Sequence, residues 1–309
     1  MSFDRLIEKI VKTQNPTVAG LDPKLDYVPE FIKEKAFKKH GETLKGAAKA
    51  ILEFNKEIID EICDIVPAIK PQAAYYEMYG YEGVKTLAKT IAYAQKRGMY
   101  VMTDAKRSDI GATMEAYAAA HLGSVKVGKE ILTPFGADAM TVNGYLGTDG
   151  VEPLLKLCRE NDKAIFVLVK TSNKSSGELQ DLMIGDDTVY AVMGKMCEKW
   201  GETAPGKHGY SSVGAVVGAT YPEQLAEMRA KLPHTFFLVP GYGAQGGGAA
   251  GVAKGFDHNG LGAIVNSSRA IMCAYKNEGC DEADFARASR RECIRMKEDI
   301  LSHISKITL

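Results

Sequence analysis

The sequence predicts a single (β/α)8 barrel over residues 1–309, with enlarged connections after the first and fifth strands, on three observations. Eight short apolar runs recur along the chain, each ending in Gly, Pro or a polar cluster. The runs are continuous rather than alternating, as expected of parallel strands covered on both faces. Between them lie segments such as EGVKTLAKTIAYAQKRG and PEQLAEMRAKL, with the period of amphipathic helices. A doubly wound open sheet shares these features and is the competing architecture.

Taken in order, the chain begins with MSFDRLIEKIVK, where Phe3, Leu6, Ile7, Ile10 and Val11 recur at helical spacing between charges. That is an amphipathic helix, since a secretory signal would carry an uninterrupted apolar core. The strands are expected at TVAGLD (17–22), IVPAIK (65–70), YVMTDAK (100–106) and ADAMTVNG (137–144). Four more follow at AIFVLVK (164–170), VGAVVGA (213–219), TFFLVPG (235–241) and LGAIVNS (261–267). Two connections are long. Residues 23–64 carry a Lys-rich stretch that Glu interrupts, so it reads as a solvated helix face. Residues 171–212 hold the sole tryptophan, Trp200, and read as an inserted helical excursion, not a second domain.

Composition narrows the function classes. The chain has 39 Lys+Arg against 39 Asp+Glu and 45% apolar residues. Ordinary apolar content excludes a disordered tail, and the lack of basic excess excludes a partner bound by neutralising nucleic-acid phosphates. No run reaches membrane-span length, so a soluble, cytoplasmic protein with no membrane partner is expected. Six cysteines (Cys63, Cys158, Cys197, Cys273, Cys280 and Cys293) form no C-x-x-C pair, and the six histidines form no H-x-H. Neither a disulfide framework nor a zinc site is expected. Glycine is raised, at 31 residues, which implies tight turns and close backbone approach to something.

Barrel enzymes place their chemistry at the C-terminal ends of strands. Asp22 ends the first run, Lys70 the second, and Asp104 with Lys106 the third. Strand alternation puts Asp104 and Lys106 on one face with Met102, Asp22 with Gly20 and Val18, and Lys70 with Ala68 and Val66. Asp109 follows, where the chain turns into the helix containing MEAYAAAH. Singly, these residues read as an ion pair and a helix cap. Together, charges at successive inward strand ends would be costly to bury without a functional reason.

At these positions the chain resembles the orotidine 5′-phosphate decarboxylase family. DAKRSDIGAT matches its D-x-K-R-x-D-I signature, and GLDP, IKPQ and PGYGAQGG agree in order and spacing. The resemblance spans essentially the whole chain and looks like the longer branch of that family. D-x-K-x-x-D is also shared with a sister group of sugar-phosphate decarboxylases, whereas the GAQGG loop, the KRSDI detail and the length favour the nucleotide enzyme. The resemblance implies a catalytic array of Lys70, Asp104, Lys106 and Asp109, with no metal or organic cofactor. It implies a homodimer in which Asp109, with Ile110 and Thr113, serves the partner's site. It assigns Asp22 to the ribose hydroxyls, Gln72 to a supporting polar role, and Thr171 and Ser172 to the pyrimidine ring. Pro240, Gln245 and Arg269 fall among its substrate-binding positions. One departure stands out: many family members have a Gly-Arg-Ser turn where this chain reads Ser267-Ser268-Arg269-Ala270.

The array also makes physical sense. Removing CO2 from a pyrimidine C6 leaves a localised anion with no electron sink. A preorganised ammonium at that carbon stabilises the charge and then supplies the proton. Lys106 is that ammonium by position. Burial would lower its pKa, and flanking Asp104 and Asp109 oppose the shift.

GYGAQG at 241–246 satisfies G-x-G-x-x-G, the pattern of a dinucleotide site. It follows the seventh strand rather than the first, and LGAIVNSS offers no acid for a ribose. Phosphate binding by the loops after strands seven and eight fits better, with Gln245 and Arg269 as its side chains. Two other readings stay open on sequence. Lys70 and Lys170 both end strands, as a Schiff-base aldolase would require, and a catalytically silent phosphate-binding module would share the barrel.

Overall fold

Eight parallel strands close a barrel in the computed structural model, which describes residues 2–243 and 246–309. They are β1 (Thr17–Leu21), β2 (Ala68–Pro71), β3 (Tyr100–Arg107), β4 (Ala139–Val142), β5 (Ala164–Lys170), β6 (Val213–Val217), β7 (Phe237–Val239) and β8 (Ala263–Ser267). Each overlaps one of the eight apolar runs. Closure is made by β8 pairing with β1, with Val265 opposite Thr17 and Asn266 opposite Val18. Since β1 also pairs with β2, neither strand is an edge and the open-sheet alternative is excluded.

Strand alternation sorts the core into two groups. Val18, Ala68, Met102, Ala139, Phe166 and Leu238 fill the barrel interior. Ala19, Ile69, Val101, Met140 and Val167 pack outward with the helices. Val66 departs from the expected face and joins the outer core, because β2 begins only at Ala68 and alternation does not reach back to it.

The N-terminal helix Ser2–Thr13 plugs the N-terminal end of the barrel. Phe3, Leu6, Ile7 and Ile10 are fully buried against interior strand residues, with the Phe3 ring 4.7 Å from that of Phe166 and 5.4 Å from that of Phe236. Each such side chain is worth about 1.5–3 kcal/mol in removed apolar surface. One end of the barrel is therefore sealed.

Both long connections contain a regular barrel helix. Within 23–64, helix Leu44–Ile62 packs on helices Gly80–Lys96 and Phe285–Leu301, so the addition is the preceding segment with helix Glu30–His40. Within 171–212, helix Val189–Gly201 packs against β5 and β6. It carries Trp200, whose Nε1 donates to Thr148 Oγ1 at 3.0 Å. The excursion proper is largely non-helical: a short turn of helix, Gly177–Gln180, and a two-stranded hairpin of Met183–Ile184 with Asp187–Thr188. A second hairpin, Val125–Val127 with Glu130–Leu132, has no counterpart in the sequence reading. Among the described residues no helix is long and apolar enough to cross a membrane.

Candidate active site

A cavity of about 660 Å³ opens at the C-terminal ends of the strands. Asp22, Lys70, Gln72, Asp104 and Lys106, from the ends of the first three strands, line it together with Thr171, Ser172, Pro240 and Arg269 from the loops after the fifth, seventh and eighth. Leu168, Val216 and Leu238 supply apolar lining.

The charged wall is built by β2 and β3. Asp104 is the hub: Oδ2 accepts from Lys70 Nζ at 2.7 Å, and Oδ1 accepts from Lys106 Nζ at 2.5 Å. Asp104 Oδ1 also accepts from the Thr141 hydroxyl at 2.9 Å. The two-residue spacing of Asp104 and Lys106 keeps them on one face, but the strand is irregular here. Register slips between Thr103 and Arg107, and Lys106 has φ +49°, a left-handed backbone costing roughly 1–3 kcal/mol in a non-glycine residue. Its N–H is satisfied by Thr141 Oγ1 at 3.0 Å. Thr141 thus braces both the hub carboxylate and the strained backbone beside it.

Electrostatics hold Asp104 and Lys70 charged. Burial by itself would raise the Asp104 carboxyl, but the charges of Lys70 and Lys106 and their hydrogen bonds outweigh it and hold its pKa well below the ordinary carboxylate range. For Lys70 the balance runs the same way. Burial pushes its ammonium toward neutrality, and Asp104 and Asp22 more than reverse this, so its pKa is raised. Lys106 has the freer tip, with its side chain 45% exposed against 4% for Lys70. Lys70 is a fixed charge, whereas Lys106 can reach a bound molecule.

The rest of the polar lining is made of loops. Thr171 is held by Gln180, whose Oε1 accepts from the Thr171 N–H at 2.9 Å and whose Nε2 donates to Thr171 Oγ1 at 2.8 Å. After β7 the glycine-rich turn folds back on itself: Gly243 N–H donates to Gly247 O at 2.8 Å, and Gly247 N–H donates to Gly241 O at 3.1 Å. Gly241 and Gly243 take φ of +98° and +75°, which explains glycine there. A five-residue helix, Ala249–Ala253, follows instead of the long helix of a dinucleotide fingerprint. Arg269 is exposed at the rim and has no carboxylate partner among the described residues. Because the last strand pairs with the first, Arg269 follows the strand next to the one that leads into Asp22, and both line the same cavity.

Comparison with known proteins gives the family of the chain. A family model described as "Orotidine 5'-phosphate decarboxylase / HUMPS family" matches residues 42–279. The chain belongs to that family. Among curated relatives, the orotidine 5′-phosphate decarboxylase of Rhodopirellula baltica is 43% identical over 94% of this chain and 96% of its own length. That of Clostridium perfringens is 42% identical over 99% of this chain and 100% of its own. Among solved structures, Leishmania donovani OMP decarboxylase superposes with a TM-score of 0.74 at 31% identity, covering 98% of both chains.

Against the family's signature, the structure brings Lys70, Asp104 and Lys106 together and leaves Asp109 apart. Asp109 does not line the cavity, and its Oδ1 accepts from the N–H of Ile110 at 2.9 Å. Ile110 is 52% exposed and is itself the N-cap residue of helix Gly111–His121, so Asp109 does not cap that helix. Thr113 lies exposed on its first turn. Gln245 lies outside the described residues. Sequence reasoning missed Thr141, which alternation from Ala139 places on the interior face. It also missed Lys24, which stands 5.8 Å from both the Tyr27 and Tyr75 rings at the cavity edge. Lys170 ends β5 as expected, but it does not line the cavity. Its ammonium is fully buried, donating to Asp181 at 2.6 Å and Ser176 at 3.2 Å. The aldolase reading thereby loses one of its two lysines. Among the described residues, no group of three or more His, Cys, Asp or Glu is arranged to hold a metal ion.

Proposed function

We propose that the protein decarboxylates orotidine 5′-monophosphate to uridine 5′-monophosphate and CO2, with no metal or organic cofactor. The observation that carries this reading is the Lys70–Asp104–Lys106 array on the cavity wall, in a member of this family. The C6–carboxylate bond breaks, its electron pair stays on C6, and CO2 leaves. The Lys106 ammonium stabilises that pair and transfers a proton to C6, to be reprotonated from solvent. Asp104 aims Lys106, Lys70 anchors Asp104, and Thr141 fixes the carboxylate's orientation. Asp22 and Gln72 serve the ribose side, Thr171 and Ser172 the pyrimidine. Pro240, Gln245 and Arg269 serve the phosphate end, whose remote binding energy is spent at C6.

The functional unit in this reading is a homodimer, with Asp109, Ile110 and Thr113 completing the partner's site. What supports it is that these residues lie at the surface beside the signature and outside their own cavity. Exposed apolar side chains also occur in the segments that follow in sequence, Ile131 (74%) and Tyr145 (76%). Purified, metal-stripped protein should deplete orotidine 5′-monophosphate absorbance, and orotidine without its phosphate should react far more slowly. Comparable turnover of both substrates would sink the phosphate role. For the shared site, inactive K106A and D109A subunits should regain activity when mixed. No recovery with subunit exchange confirmed would refute trans action.

A further inference from the structure

We infer that the Ser268 hydroxyl is a phosphate ligand of this chain, oriented by Asn266 and given room by Gly20. The inference rests on the nucleotide reading above and adds a side chain to that site. Three observations meet where β8 closes on β1. Asn266 is only 7% exposed, and its Nδ2 donates to Ser268 Oγ at 3.3 Å. An amide hydrogen then occupies the acceptor side of the hydroxyl, so the hydroxyl's own hydrogen is left to donate elsewhere. It meets no acceptor among the described residues. Ser268 lines the cavity next to Arg269. A hydroxyl donor beside a free guanidinium suits an oxygen that is anionic and accepts only, as a phosphate oxygen does.

Gly20 shows that the placement is built. A Cβ there would lie 1.9 Å from Ser268 Oγ and 2.9 Å from Asn266 Oδ1. Its φ is not in the left-handed region, so glycine stands there for space and not for backbone freedom. Asn266 Oδ1 is buried without a hydrogen-bond partner, an uncompensated desolvation that a residue merely filling the core would not carry. Asn266 is therefore a positioning residue and Ser268 the group that touches substrate.

Titration of UMP and uridine into wild type, S268A, N266A and the double variant tests this, with R269A as the reference for a lost phosphate contact. Wild type that does not bind UMP overturns the nucleotide reading. Wild type that binds UMP while S268A binds it equally well overturns only the present inference. S268A should weaken UMP about tenfold or more while leaving uridine within about twofold. Equal losses for the two ligands overturn the phosphate assignment. N266A should also weaken UMP, and N266A/S268A should be no weaker than S268A; additive losses overturn the positioning role. A size exchange gives an independent check that needs no buried deletion. G20A should impair UMP binding, and G20A/S268G should recover to the S268A level, because the new methyl takes the vacated space. Failure of S268G to rescue overturns the role given to Gly20.

Discussion

Two buried lysines end strands of this barrel and are used in opposite ways. Lys70 on β2 donates to Asp104 at 2.7 Å, and Lys170 on β5 donates to Asp181 at 2.6 Å. Their accessibilities differ little, 4% against 0% for the side chains. The partners differ more. Asp104 is itself 10% exposed, comes from the neighbouring strand and is shared with Lys106 at the cavity. Asp181 is 44% exposed and comes from the excursion after β5. The rings of Tyr221 and Tyr190 stand 4.5 and 5.6 Å from the Lys170 ammonium and help to enclose it. One lysine is tied into the charged lining of the cavity; the other pins a loop. A lysine at a strand end is therefore read by where its counter-ion originates.

The largest effect that separates the two ends is on turnover. K106A should lower kcat/KM by about 10³-fold or more, because it removes both the charge at C6 and the proton donor. K170M should cost about tenfold at most, through a less well-held Thr171–Ser172 loop. Steady-state kinetics with orotidine 5′-monophosphate read both. A K170M enzyme as dead as K106A would place Lys170 in the chemistry and revive the aldolase reading, which borohydride trapping would then decide.

A smaller effect, on stability, follows from the exposed partner. Removing Asp181 strands an ammonium in the interior; removing the ammonium returns a carboxylate to water. D181A should therefore cost about 2–3 kcal/mol, partly offset by the Tyr221 ring, and K170M about 1 kcal/mol or less. Urea midpoints at unchanged m-value measure the difference. If K170M proves the more damaging variant, the charge is not what holds the loop.

How much of this was legible in the sequence follows the same division. The charged wall was readable because alternation is local: Asp104 and Lys106 share a face whatever the rest of the chain does. Thr141 obeyed the same rule, but a threonine within an apolar run looks like ordinary strand propensity. The Lys170 pair was not readable, since Lys70 and Lys170 end similar runs and only the fold shows which one faces the cavity. The partners lie 34 and 11 residues away in sequence, and the nearer one belongs to the loop. The Gly20–Ser268 contact was further out of reach, because it depends on the register of the closing strand pair. The excursion was over-read as helical because the periodic piece within it is the barrel's own helix.

The last effects are read in pH dependence, where the charged wall and the packing around His121 titrate in different windows. His121 lies buried at the end of helix Gly111–His121, its ring 4.9 Å from that of Phe135. Burial, helped by the charge of Arg107, pushes its pKa down to about 4. The folded state thus keeps His121 neutral while the unfolded chain, near 6.5, takes up a proton. The stability it contributes is complete above pH ~6.5 and is lost as pH falls toward 4, by on the order of 3 kcal/mol in all. Asp104 works lower. Its folded pKa lies below the unfolded value of ~3.9, so its contribution is complete above that pH and is lost only as pH falls further. Denaturant midpoints from pH 7 to 3 should then show two separable losses. H121F should flatten the loss between pH 6.5 and 4 and leave the lower one, and D104N should do the reverse. A single transition abolished by either variant would mean that wall and packing unfold as one electrostatic unit, and that the separation of β3's charged end from its support is wrong.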